Sequence, residues 1–128
     1  MPRCHQTVKL FLVSLLALFI SVFPVYADDF LTGTEDVPLM NALTLLDDET
    51  FDFDTEDGRL YFSKAVASVD SKKVLDFYHQ TLPQLGWVEE EQGNFVREGD
   101  VLRISTTEEQ SESKKKTTVV FELVTKSK

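Results

Sequence analysis

Apolar residues recur at steps of three and four from Val74 through Phe77, Tyr78 and Leu82 to Leu85, a spacing that lines one face of a helix. The pattern predicts a helix over 71–84, centred on Phe77, with Asp70 or Ser71 as its cap. Gly86 suits the left-handed position just past its end. Pro83 removes a backbone donor in the last turn, which places a kink or an end near Leu82.

On either side the period falls to two. Phe51, Phe53 and Thr55 alternate with Asp52, Asp54 and Glu56, and Asp57-Gly58 is a favoured two-residue hairpin turn. That turn would set Glu56 opposite Arg59, Asp54 opposite Tyr61 and Phe53 opposite Phe62. The aromatic pair then faces the core and the charges face water. The second strand continues through Ala65, Val66 and Ala67 to Val69, and Lys64 interrupts its alternation, a sign of a bulge or an edge position. Past the helix, Trp87 to Glu90 and Phe95 to Arg97 are joined around Gln92-Gly93-Asn94. Val101 to Thr107 then carries Leu102 and Ile104 on one face, and Thr117 to Thr125 carries Val119, Phe121 and Leu123. The polar tip between these last two strands is acidic first and basic second, so its halves can pair across a hairpin. Hiding a helical stripe against such strands gives an α+β fold: one main helix packed on a mostly antiparallel sheet of about five or six strands.

The first 27 residues read differently. Arg3 and Lys9 form a basic start, 10–23 is apolar apart from Ser14 and Ser21, and Val25-Tyr26-Ala27 offers small residues for cleavage after Ala27. This is the order of a cleavable signal peptide, which directs the chain to the periplasm or outside the cell. The alternative is an inner-membrane anchor left uncleaved, but Leu10 to Val22 is only 13 residues long, short of the ~20 that span a bilayer. Cys4, the only cysteine, precedes the apolar run and is not placed for lipid attachment. Three regions follow: 1–27 a signal peptide, 28–49 an acidic, irregular segment, and 50–128 the helix-on-sheet domain.

Charge narrows the partners. The whole chain carries a net −9. Without Arg3 and Lys9, 11 basic residues stand against 22 acidic ones, a net −11. That balance repels nucleic acid and anionic lipid, and the processed chain has no segment to insert into a membrane. No cysteine remains to form a disulfide.

F-Y-x-x-x-L-P-x-L-G-W (Phe77 to Trp87), followed by F-V-R-E-G-D-V-L-R-I and T-V-V-F-E-L, resembles a group of small exported bacterial proteins of unknown function. D-V-P-L-M (Asp36 to Met40) and D-G-R (Asp57 to Arg59) are similar to that group as well, so the likeness covers most of 36–124. The resemblance implies an envelope location and a helix-on-sheet fold, and implies no catalytic residue.

Candidate chemistry is thin. His79 is the only histidine outside the leader, one step off the helical stripe, and reads as a surface residue. No G-x-S-x-G turn is present to make a serine nucleophile. Asp52, Asp54, Glu56 and Asp57 before Gly58 look like a calcium loop, but the glycine falls at position seven rather than six. Ser63 stands where the closing glutamate belongs. As metal ligands these four carboxylates make at most a weak, non-EF-hand site; as alternating residues they are the wet side of a strand. Lys114-Lys115-Lys116 reads as a solvated hairpin tip and Trp87 as a plug at the helix–sheet corner. Arg59 and Tyr61, pointing away from Phe62, are the interaction candidates.

These readings point to a non-catalytic exported envelope protein, an interaction or accessory domain with an envelope protein as partner and no cofactor. The alternatives are a small periplasmic hydrolase using carboxylates or His79, and a weak calcium-binding domain.

Overall fold

The structure is a computed structural model and describes residues 29–34 and 36–127. The leader and its cleavage after Ala27 lie outside the described residues. Six strands form a single antiparallel sheet: β1 (Thr44–Thr55), β2 (Gly58–Ala67), β3 (Val88–Glu91), β4 (Asn94–Arg97), β5 (Asp100–Ser111) and β6 (Lys114–Lys126). Their order is β1-β2-β6-β5-β4-β3. After β2 the chain leaves one half of the sheet, crosses a single face as α1 (Ser71–Thr81) and a 3-10 turn (Leu82–Leu85), and re-enters at the far edge. Three hairpins then bring it back until β6 pairs with β2. The α+β expectation holds, with every strand pair antiparallel.

The helix ends as its residues require. Pro83 sits within the 3-10 turn, and Gly86, at φ 88°, takes the left-handed cap. Its start is different from the sequence expectation. Asp70 occupies the cap position but makes no capping hydrogen bond. The Ser71 N–H donates instead to the Glu108 carboxylate of β5, at 2.6 Å, while Asp70 pairs with Lys115 of β6. The buried ridge is Val74, Tyr78 and Leu82, all fully inaccessible, whereas Phe77 is half-buried beside it. The stripe is therefore centred on Tyr78, one position along from Phe77. Edge-on aromatic contacts to Phe77 and Phe121 hold the Tyr78 ring at 4.9 and 5.5 Å.

Beneath the helix lie Tyr61, Ser63 and Ala65 of β2, Val119, Phe121 and Leu123 of β6, Leu102 and Ile104 of β5, and Phe95 of β4. The expected first hairpin is present, but its register is displaced. Glu56 and Asp57 form the turn and Gly58 is already paired, with Thr55. Asp54 faces Arg59, Asp52 faces Tyr61, and Phe51, not Phe53, faces Phe62. The shift moves each partner by two residues, so the same side chains still share a face. Separately, the face turned inward is the other one, with Tyr61 in the core and the phenylalanines outside. Size decides this. Ser63 and Ala65 are fully buried against the helix layer, where Phe62 and Lys64 would not fit.

Two further expectations change. The bulge lies in β1, between Leu46 and Phe51, and not at Lys64, which pairs regularly with Val120 in an interior strand. Within the expected segment 28–49, the described residues are not separate from the domain, because β1 begins at Thr44 and Leu31, Val37 and Leu43 are buried in the common core. Leu31 N–H donates to the Val37 carbonyl at 2.9 Å, and the Tyr78 hydroxyl donates to the buried Pro38 carbonyl at 3.0 Å. This N-terminal arm is thereby fixed to the helix.

Candidate functional site

The side of the sheet turned away from α1 has no second layer among the described residues. Alternation along each strand and the pairing between strands set Phe53, Leu60, Val124, Val101, Val96 and Val88 side by side in one row, one from each strand. The row crosses the sheet from edge to edge with no polar interruption. Five of its members are well exposed, from 39 % for Val101 to 61 % for Val88. Beside it, Phe51 lies 6.4 Å from Phe53 and 6.2 Å from Phe62, ring to ring, which widens the apolar surface at the β1 end.

Most charges in the neighbouring rows come in opposite pairs; Glu91, across from Asn94 at the β3 edge, has no cation partner among the described residues. Arg103 faces Glu122 at 3.7 Å and also donates to Asn94 at 3.2 Å. Lys64 pairs with Glu49, and Lys116 stands across from Glu109. By contrast Asp36, Asp52, Asp70, Asp76, Glu89 and Glu108 lie toward the helix side. The bare face is the charge-balanced side of an acidic molecule.

The interaction candidates named by the sequence lie on the opposite face. Tyr61 is buried and Arg59 is held by the Asp52 carboxylate, at 2.6 Å from Nε. They line a cavity of about 280 Å³ with Trp87, Arg97 and Asp36. There the Arg97 guanidinium sits 4.5 Å above the Trp87 ring, donates to Asp36 at 2.8 Å and reaches the Leu85 carbonyl at 3.1 Å. Burial pushes the Tyr61 hydroxyl up from its ordinary range. Neither that hydroxyl nor the Trp87 indole N–H has a hydrogen-bond partner among the described residues. Both arginines spend their charge on carboxylates, so the arrangement works as a clasp that closes the N-terminal arm over the end of the core.

The other sequence candidates separate. Asp52 turns toward Arg59, whose guanidinium holds its carboxyl below the usual range, while Glu56 and Asp57 form the turn. Among the described residues no three His, Cys, Asp or Glu side chains gather as metal ligands. His79 is exposed on α1 and pairs with Glu89 of β3, whose other oxygen accepts from the Gly93 N–H at 3.1 Å. That pair ties helix to sheet edge. Lys115 of the hairpin tip bonds Asp70 and Glu108, fastening the tip to the start of α1.

Sequence reasoning missed the bare face because it assigned Phe53 and Phe62 inward. The signal was present in the last two strands: Val101 alternates with Leu102 and Ile104, and Val124 with Val119, Phe121 and Leu123, so both faces there carry apolar residues. No described helix is long and apolar enough to cross a membrane. Compared with protein families, with curated proteins and with solved structures, the chain matches none.

Proposed function

We propose that the protein is a non-catalytic, exported interaction domain of the bacterial envelope, and that it works through the bare face of its sheet. The unbroken apolar row from Phe53 to Val88 carries this reading. Fully burying one Val, Leu or Phe side chain is worth ~1.5–3 kcal/mol. Completing the burial of six half-covered ones yields ~5–9 kcal/mol before the ordering cost of association. Patches of this kind on exported domains mark docking surfaces. The leader read from the sequence supplies the location, and the paired state of His79, Asp52 and Lys115 leaves these groups occupied in holding the fold together.

Photo-crosslinking in cells tests the reading. A photoreactive residue at Val101, on the face, should give a discrete adduct, and the same residue at Gln84, exposed on the helix side, should not. Adducts from Gln84 alone, or from neither position, would overturn it.

A further inference from the structure

We infer that the occupant of the bare face is a second copy of this chain, packed sheet against sheet about a two-fold axis; this rests on the reading of that face as the interaction surface. Three observations lead there. The first is self-complementarity. The row has its bulky residues at one end, Phe53 and Leu60, and its small ones at the other, Val96 and Val88. A two-fold axis lying between the sheets, perpendicular to the row and midway along it, lays Phe53 of one copy over Val88 of the other. It also lays Leu60 over Val96 and Val124 over Val101. Large meets small at the two outer steps and valine meets valine at the centre, which makes the row complementary to itself, as an isologous interface demands.

The second observation is charge. A chain with a net −9 repels its own copy on most approaches. On this face the pairs Lys64–Glu49 and Arg103–Glu122, with Lys116 across from Glu109, cancel locally. Apart from Glu91 at the β3 edge, two copies can therefore meet here without bringing unmatched carboxylates together. An anionic lipid surface has no such accommodation from the rest of the molecule.

The third is area. Four strands of 10 to 13 residues and two of four residues make up the sheet. At ~3.3 Å per residue and ~4.8 Å between strands, the face spans ~870 Å². A standard specific interface takes ~800 Å² from each partner. Sheets packed in this way keep their strands within ~30° of each other, so the native twist costs little of that contact.

The test is sedimentation equilibrium on the protein in the form cells accumulate, with its N-terminus read by mass spectrometry. A dimer with a dissociation constant in the micromolar range or tighter is expected, since interfaces of this size lie between ~1 μM and ~1 pM. Leu60→Glu should weaken it at least ~100-fold, because each copy would bury a lone carboxylate, whereas Leu60→Met should preserve it. Circular dichroism checks that both variants fold. In a chain with Cys4→Ser, Val124→Cys should be linked between copies by a short bismaleimide, and Gln84→Cys should not; this readout stands even if Leu60→Glu fails to fold. A monomer up to ~1 mM overturns the second copy as occupant. A dimer that survives Leu60→Glu with its fold intact, or links only through Gln84→Cys, does so too. If the protein is monomeric yet Val101 crosslinks to a different protein in cells, the docking face stands and only its occupant is wrong. With no adduct from Val101 either, both readings fall.

Discussion

Removing one oxygen from Tyr78 isolates the contact that joins the N-terminal arm to the helix. In Tyr78→Phe the ring stays in its edge-on contacts with Phe77 and Phe121. What is lost is the hydroxyl, which donates to the Pro38 carbonyl at 3.0 Å and accepts a longer bond, 3.4 Å, from the Met40 N–H. Met40 is half-buried, so its N–H can turn to water, but Pro38 is buried and its carbonyl cannot. A buried acceptor left unsatisfied costs ~1–3 kcal/mol, and the weaker Met40 bond adds a few tenths, giving ~2 kcal/mol. For a domain of about this size that is a drop in Tm of ~8–16 °C. Urea unfolding should report the same loss with an unchanged m-value. Hydrogen exchange should localise it, since the Leu31, Leu39 and Leu43 amides, bonded within the arm, lose protection before those of β5 and β6. A pH signature accompanies it. Burial pushes the Tyr78 hydroxyl well above its ordinary 10.0, so the folded state stays protonated where the unfolded chain ionises. The wild type should therefore lose stability as pH rises above 10, and the phenylalanine variant should lose less. A change below ~0.5 kcal/mol with arm exchange unaltered would refute the claim that this hydroxyl fastens the arm.

Further outcomes follow from the geometry. Gly58→Ala should cost at least ~3 kcal/mol by urea titration, because a Cβ there would lie 1.8 Å from the Thr125 carbonyl oxygen at φ 150°. Gly99→Ala meets only the Lys126 side chain, at 3.5 Å, and should cost ~1–2 kcal/mol for its positive φ alone. Leu82→Ala should cost ~2–5 kcal/mol and half-buried Phe77→Ala only ~1–2, and the reverse order would restore Phe77 as the centre of the ridge. The Lys115 ammonium holds Asp70 below its ordinary 3.8, and the Ser71 N–H followed by Lys115 does the same for Glu108 below 4.5. Carboxylates lowered in the folded state stabilise it above their ordinary values and lose that contribution as pH falls through the lowered ones. Lys115→Met should therefore flatten the decline in Tm below pH 4.5, and an unchanged acid limb would count against the cluster. Finally, His79→Ala should leave crosslinking from Val101 intact; loss of the adduct at an unchanged Tm would give His79 a role in recognition.

Much of the architecture was legible in the chain. Local rules carried it: the three-and-four spacing from Val74, the stop at Pro83 and Gly86, and the alternation of 101–107 and 117–125 all appear where the residues put them. The helix start was not legible, because its capping group is Glu108, 37 residues away and fixed only once β5 passes the N-terminus of α1. The arm was not legible either. The segment around Leu31, Val37 and Leu43 has no sustained helical or strand alternation, and these residues are buried by tertiary contacts. The first hairpin was misread by one residue because Asp57-Gly58 is a strong local turn signal. A close approach between Gly58 and Thr125 of β6 overrides it, since that strand leaves no space for a side chain at position 58.

Which face of the first hairpin the helix covers carries the functional conclusion. In a strand with one polar side, turning that side inward would put carboxylates in the core and be strongly resisted. In β2 both sides are largely apolar, Leu60, Phe62 and Val66 on one and Tyr61, Ala65 and Ala67 on the other. Hydrophobic pattern therefore leaves the choice to volume, and the helix takes the side with Ser63 and Ala65. The larger side is then left in water, and it continues in register through Val124, Val101 and Val96. Folding alone gives no reason for six strands to agree on an apolar residue at the same level of a solvated face; polar residues there would keep the chain as stable and more soluble. A surface that must be covered after folding gives that reason. Replacing Val101 with Thr, close in shape and polar, separates the two accounts. Measured by urea at a concentration well below the dissociation constant, where association no longer adds to stability, the unfolding free energy should fall if the row serves only the fold. If it serves docking, that free energy should stay within ~0.5 kcal/mol of wild type while assembly weakens.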